Sequence, residues 1–247
     1  MLVSGVSQDR ADRADRFRML AFADPKFDIP SATPVNREPS NVTDRVWRHL
    51  IPLPETAMEV RAVAKSLNAR EQDIFLQGAA TETLVKTIDL AKYRVIYFAT
   101  HGLVAGQAGR ESAIVLSRPN FPSLMDDGFL EASEVAKLQL NAEWVVLSAC
   151  DTASGDSPGW EALSGLVSAF FYAGTRSVLA THMPVETNAA VHLTTTMFRT
   201  KAEDPSLSAA EALRRAMLTY LTEEEQHPKF WAPFTLFGSE IAQGKAD

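Results

Sequence analysis

The apolar residues of this chain fall into short unbroken runs and into longer stretches where they recur every three or four positions. The run at residues 145–147 lacks polar alternation, which is typical of a central parallel strand covered by helices on both faces. Residues 94–100 form a second such strand. Because strands that alternate with helices pair in parallel through right-handed crossovers, the pattern predicts an α/β fold.

The pattern also predicts the order of the elements. It predicts strands at residues 19–22, 73–76, 94–100, 112–117, 129–130, 145–147, 178–180 and 234–237, and helices at residues 55–67, 81–90, 132–138, 161–173, 187–201 and 208–221. The pair of strands at 112–117 and 129–130 predicts a hairpin that projects from the edge of the main sheet. No internal repeat of the solenoid type is present in the sequence.

The first predicted helix and the segment before it have contrasting compositions. Met58, Val60, Val63 and Leu67 recur at helical intervals, which predicts the helix at residues 55–67. Before it, six prolines lie between residues 25 and 54. Since each proline removes a backbone donor and fixes φ, this segment is predicted to be a long irregular connection.

The two apolar runs lead to the residue types that carry acyl-transfer chemistry. The only cysteine of the chain, Cys150, follows one run, and His101 follows the other, 150 − 101 = 49 positions earlier. Ligands and chemistry in open α/β sheets gather at the carboxyl ends of the strands. A cysteine with a histidine about 50 residues upstream is also the spacing seen in caspases. The sequence therefore predicts a cysteine and histidine pair at one edge of the sheet.

Such a pair can cleave an acyl bond. A neighbouring imidazole generates the thiolate nucleophile and later protonates the leaving amine. The backbone amides of Gly102 and Cys150 are the candidate donors to the tetrahedral oxyanion. A loop of small residues at 151–159 follows Cys150 and allows close approach of the backbone to a ligand.

Other interpretations of these residues have to be weighed. A cysteine that ends an apolar run is about as often a small buried hydrophobe as a nucleophile, and a single histidine is more often a satisfied structural residue. His101, Cys150, His182, His192 and His227 lack the short ligand spacing of zinc sites, so no metal site is expected. The glycines after His101 have the wrong spacing for a dinucleotide loop, so no nucleotide cofactor is expected either.

Composition and charge narrow the class of protein. The chain has 247 residues, 46% of them hydrophobic and 22% charged, which fits one large soluble α/β domain. A net charge of −7 argues against direct nucleic-acid binding. One cysteine cannot form an intramolecular disulfide, and no apolar run is long enough to span a bilayer. With no signal peptide, the expected location is the cytoplasm, away from the membrane.

We expect a loose lead-in at residues 1–17, a single domain at residues 18–241 and a tail at residues 242–247. In that domain, six motifs occur in the same order as in the CHAT domain, the caspase-like peptidase domain often attached to TPR repeats in bacteria. They are Tyr97-Phe98-Ala99-Thr100-His101-Gly102, Ser112-Ala113-Ile114-Val115-Leu116, Asp127-Gly128-Phe129-Leu130, Val145-Val146-Leu147-Ser148-Ala149-Cys150-Asp151-Thr152, the stretch from Glu161-Ala162-Leu163 to Tyr172-Ala173-Gly174, and His227-Pro228 with Phe230-Trp231. The chain thus resembles this family over nearly its whole length.

The resemblance implies a caspase-like three-layer sandwich and a cysteine endopeptidase that acts on protein or peptide substrates without a cofactor. His101 and Cys150 would be its dyad. Asp24 and Asp151 stand where related peptidases select the substrate residue before the scissile bond, so a basic substrate residue is expected at that position. Independently of the resemblance, Thr181-His182-Met183-Pro184 is expected to end the next strand, with His182 on the rim of the same crevice. Met183 departs from the family, which commonly has tryptophan at that place. No TPR repeat is present in the sequence, so the chain is expected to be a fragment or a stand-alone form of the family. A TPR protein or another regulatory protein is the expected partner.

Three alternatives to a constitutive peptidase remain open from the sequence. One is a latent peptidase whose loops after His101 and Cys150 need a trigger. Another is a catalytically silent CHAT-like module that relays signals through protein partners. The third is a thiol hydrolase of small molecules, which would use the same dyad in a deep closed pocket.

Overall fold

The computed structural model describes residues 17–27, 42–103, 105, 110–148, 159–183, 185–223 and 227–238. Most of the predicted lead-in, the predicted tail and the loop at 151–158 lie outside these residues, as do Cys150 and Asp151. The first strand begins at Phe17, one residue before the predicted start of the domain.

The central sheet has six strands within the described residues. They are β1 (Phe17–Pro25), β2 (Ile74–Gln77), β3 (Tyr93–Ala99), β7 (Trp144–Ser148), β8 (Ser177–Thr181) and β9 (Phe234–Phe237), in the spatial order β2-β1-β3-β7-β8-β9. The first five are parallel, and β9 is antiparallel to β8. The predicted α/β fold with a mostly parallel sheet is confirmed.

The described residues contain eight α-helices, most of which cover the two faces of this sheet. They are α1 (Val42–His49), α2 (Glu55–Ser66), α3 (Glu82–Thr87), α4 (Ala132–Val135), α5 (Gly159–Ala173), α6 (Thr187–Glu203), α7 (Ala209–Glu223) and α8 (Pro228–Trp231). One apolar cluster joins one face of the sheet to α2, α6 and α7, and a second joins the other face to α3, α4 and α5. This arrangement is the predicted three-layer sandwich. Within the described ranges, no helix is both long and apolar enough to cross a bilayer.

Helix α2 turns a different face to the sheet than its sequence suggests. Val60 and Val63 are fully buried, but Met58 is 63% exposed and Glu59 is only 2% exposed. The buried positions Thr56, Glu59, Val60, Val63 and Ala64 follow the i, i+3, i+4, i+7 pattern of one helical face. The predicted helix forms, but Met58 lies outside its buried face, and the Glu59 carboxyl group lies inside.

A small antiparallel sheet lies beside the main one. It consists of β4 (Gly102–Leu103), β5 (Ala113–Val115) and β6 (Phe129–Glu131). Strands β5 and β6 form the predicted hairpin, and β4 adds the chain that leaves β3. A third apolar cluster, including Trp47 and Phe129, packs α1 against this small sheet.

The prediction of a wholly irregular connection before residue 54 is wrong where α1 forms. The stretch between Pro39 and Pro52 contains no proline, so nothing in it prevents a helix. Trp47 from α1 is buried against Phe129, with ring centroids 4.5 Å apart. Burial of this aromatic side chain supplies the stabilisation that the short helix needs.

Candidate active site

Strands β3 and β7 are direct neighbours, and their register determines where the chain leaves the sheet. They pair in parallel, with Ala99 opposite Ser148 at their carboxyl ends. His101 follows Ala99 by two positions, and Cys150 follows Ser148 by the same number. The two strands are therefore adjacent. Cys150 itself lies outside the described residues, so its pairing with His101 stays a prediction.

His101 is held firmly at this edge. Its side chain is buried, and its Nε2 lies 2.7 Å from the backbone carbonyl oxygen of Ile51. The imidazole also packs against the ring of Phe27, with centroids 5.3 Å apart. Because a carbonyl oxygen can only accept, Nε2 must carry the hydrogen of this bond. In the neutral ring the lone pair that can take up a proton is therefore on Nδ1.

Burial also sets the protonation state of this ring. Burial lowers the pKa of His101, and it outweighs the Ile51 carbonyl and the Glu55 charge, which both act to raise it. A histidine with a lowered pKa is predominantly neutral at pH 7. His101 is thus in the form that can accept a proton from a neighbouring group.

The turn from β3 into β4 places the backbone around His101. The hydroxyl of Thr100 donates to the carbonyl oxygen of Val115 over 2.6 Å, and the Val115 amide donates to the His101 carbonyl over 2.9 Å. One backbone hydrogen bond therefore joins His101 to Val115, which lie opposite each other in the register that pairs Gly102 with Ile114. Because hydrogen-bonded and non-hydrogen-bonded pairs alternate along an antiparallel ladder, the Gly102 amide is directed away from β5.

Asp24 lies at the carboxyl end of β1, next to β3, at the edge that the sequence indicates. It has a φ of 46°, a left-handed conformation, and its side chain is buried. Its amide donates to the Thr56 hydroxyl over 2.9 Å, and its carboxylate accepts from the side-chain amide of Gln77. These bonds join the end of β1 to α2 and to the end of β2.

His182 follows β8, the other neighbour of β7. Its ring is half-buried, with Nδ1 3.3 Å from the Thr235 hydroxyl. Its amide donates to the Pro233 carbonyl oxygen over 3.0 Å, which ties it to the antiparallel edge strand β9. The next residue, Met183, is 41% exposed. His182 thus follows a strand that ends at the same carboxyl edge of the sheet as β3. Its place on the rim of a substrate crevice stays a prediction.

Two parts of the site were missed by sequence reasoning. One is the support of His101 by the backbone of Ile51 and the ring of Phe27, which come from the proline-rich segment. The other is a buried hydrogen bond between Glu59 and Tyr97. The sequence contains no signal for either part, because every residue has a backbone carbonyl and a glutamate between Met58 and Val60 suggests a solvated face.

The described residues contain no group of three or more histidine, cysteine, aspartate or glutamate side chains that could hold a metal ion. At this edge His101 offers Nδ1 as a proton acceptor, and Gly102 offers its backbone amide as a donor.

Comparison with known families determines the relationship of the chain. The CHAT domain model matches residues 2–239. The chain belongs to the CHAT domain family. No curated protein matches it. The CHAT family is related to the caspase-like peptidases, and the six-stranded, mostly parallel sheet of this CHAT domain is consistent with a caspase-like fold. The matched range includes His101, Cys150 and every other candidate residue named above.

Proposed function

We propose that this CHAT domain is a cysteine endopeptidase in which Cys150 is the nucleophile and His101 is its proton acceptor. The observation that carries the proposal is the placement of a buried His101 at the end of β3, beside the strand that leads to Cys150. The lowered pKa of His101 agrees with a role as proton acceptor. Family membership supports the same chemistry.

In the proposed reaction, His101 takes the thiol proton on Nδ1, and the thiolate attacks the scissile carbonyl carbon. The amides of Gly102 and Cys150 stabilise the resulting oxyanion. The imidazolium then gives its proton to the leaving amine as the carbon–nitrogen bond breaks. Water, deprotonated by His101, hydrolyses the thioester and restores the thiol. The Ile51 carbonyl keeps the hydrogen on Nε2 and favours the imidazolium while it exists.

The proposed substrate is a protein or peptide with a basic residue before the scissile bond. Asp151 follows the nucleophile directly, and His182 lies at the neighbouring strand end. Asp24 is the weaker support, because its carboxylate is buried and bonded to Gln77. We infer a reducing, cytoplasmic setting, since the thiol has to stay reduced, and a TPR or other regulatory protein as partner.

Cleavage of a diverse peptide library by wild type and by Cys150→Ala tests this proposal. Wild type is expected to cleave, with basic residues enriched before the cut, and Cys150→Ala is expected to fall to the background rate. Cys150 is the only cysteine, so no other thiol can substitute for it.

Equal cleavage by both proteins would end the proposal. If wild type also fails to cleave, labelling with a thiol-directed peptidyl electrophile decides between the alternatives. A label on Cys150 indicates a latent peptidase. The lack of a label, even with a regulatory partner present, favours a catalytically silent interaction module.

A further inference from the structure

A network of three buried polar side chains lies between α2 and the central sheet. The Tyr97 hydroxyl donates to Glu59 Oε1 over 2.6 Å. The Ser148 side chain hydrogen-bonds to the Glu59 carboxyl. None of the three is more than 7% exposed. The network therefore joins α2, β3 and β7 inside an otherwise apolar face of the sheet.

A carboxyl group in this position is costly. Removing a carboxylate from water costs roughly several kcal/mol even after the protein relaxes, and hydrogen bonds recover only part of this desolvation cost. An apolar residue would pack against Val60 and Val63 without that cost. The hydrogen bonds of the network therefore suggest a role other than maximal stability.

The position of Ser148 indicates what that role is. Ser148 is the last residue of β7, opposite Ala99 of β3. Through Ser148 the network holds the carboxyl end of β7 to α2 and to β3 at the point where the chain continues toward Cys150.

We propose that Glu59 and Tyr97 are positioning residues that fix the carboxyl end of β7 relative to the end of β3. The consequence for reactivity rests on the proposed function, since it concerns the pairing of Cys150 with His101. The anchoring of Ser148 does not, because it can be measured without catalysis.

The protonation state of Glu59 indicates which substitution should preserve the network. Burial raises the pKa of Glu59 to about 7, and the Glu55 charge on the same helix adds to this, while the bonds from Tyr97 and Ser148 lower it. Tyr97 is the titratable group that faces Glu59 from β3. Strand β7 presents Ser148, and α6 presents Thr194, whose hydroxyl donates to the Ala190 carbonyl oxygen in its own helix. Glutamine resembles the protonated carboxyl, because its oxygen accepts from Tyr97 and its amide donates to Ser148. Methionine has a similar volume and keeps neither bond.

The same strand offers a matched control. At the amino end of β3, the hydroxyl of buried Tyr93 donates to Asp73 over 3.1 Å. Tyr93→Phe therefore removes the same kind of tyrosine–carboxylate bond from the same strand, but at the opposite edge of the sheet.

Hydrogen exchange and thiol alkylation together test the proposal. In Tyr97→Phe and Glu59→Met, exchange of the Ser148 amide is expected to accelerate about tenfold relative to that of Val145 in the same strand. Alkylation of Cys150 by iodoacetamide at pH 7 is expected to slow roughly five- to tenfold in both. Glu59→Gln should match wild type in both measurements, and so should Tyr93→Phe.

Each failure is distinguishable. If Tyr97→Phe and Tyr93→Phe give the same ratio of Ser148 to Val145 exchange, the anchoring is wrong, whatever the enzyme does. If the exchange ratio rises but alkylation does not slow, the network anchors β7 without positioning the thiol, and the positioning role is overturned. A wild-type protein that cleaves no peptide would count against the endopeptidase alone, because neither readout needs a substrate.

Discussion

Replacement of His101 by glutamine is expected to lower kcat/KM for peptide cleavage by about 10²- to 10⁴-fold, which is the contribution of a positioned general base. Glutamine can donate a hydrogen bond to the Ile51 carbonyl, as Nε2 does now, but it cannot accept a proton at pH 7. The fold should therefore survive while the proton transfer is lost. Peptide cleavage and thermal unfolding, measured on the same sample, check both expectations.

The matched control for this substitution is His49→Gln. The Nδ1 of His49 also lies 2.7 Å from a backbone carbonyl oxygen, that of Arg45, but His49 is exposed on α1. The His49→Gln variant should cleave peptides at the wild-type rate. Full activity in His101→Gln, with this control unchanged, would remove His101 from the mechanism.

Replacement of Glu59 by glutamine is expected to stabilise the protein at neutral and higher pH. The pKa of Glu59 is raised in the folded protein from about 4.5 to about 7, with burial as the largest cause. Between these values the folded protein binds more protons than the unfolded chain, so wild-type stability falls as pH rises through this interval. Glutamine does not titrate. The variant should therefore match wild type below about pH 4.5 and gain up to about 3 kcal/mol above pH 7.

Urea unfolding at a series of pH values between 4.5 and 8 measures this difference. Glu71→Gln serves as the control, because it makes the same chemical change on an exposed carboxylate that pairs with Arg61. A constant difference between wild type and Glu59→Gln across that range would show that Glu59 does not titrate there. The comparison also removes the contribution of Glu82, whose pKa burial likewise raises to about 7, since both proteins contain it.

The strands that carry the site could be predicted because their signal is local. A continuous β-branched and aliphatic run such as residues 145–147 is compatible with few structures other than a buried strand. A histidine and a cysteine that follow two such runs lie at the same edge wherever the strands pair in parallel. The pairing of Ala99 with Ser148 confirms that part of the reasoning.

The support around these residues could not be predicted, because it depends on contacts between distant parts of the chain. The bond between His101 and Ile51 uses a backbone carbonyl, which every residue has. Helix α1 forms within a segment where only the prolines are conspicuous, and its stability comes from Trp47 packing on Phe129.

Glu59 shows why the periodicity of a single helix can mislead. With Met58 and Val60 on either side of it, a carboxylate at this position suggests a solvated face. Glu59 rather than Met58 lies in the interior because Tyr97 and Ser148 hydrogen-bond to its carboxyl group. These two partners belong to strands that are remote from α2 in sequence. Amphipathic patterning contains no information about such partners.

The most direct test of the pairing between His101 and Cys150 is the pH dependence of Cys150 alkylation by iodoacetamide in wild type and in His101→Gln. Cys150 is the only thiol, so the signal has one source. Wild type is expected to react at least about tenfold faster than the variant at pH 7, and the variant should follow an ordinary thiol with a pKa of about 8.5. Superimposable profiles with a pKa of about 8.5 in both proteins would contradict the pairing.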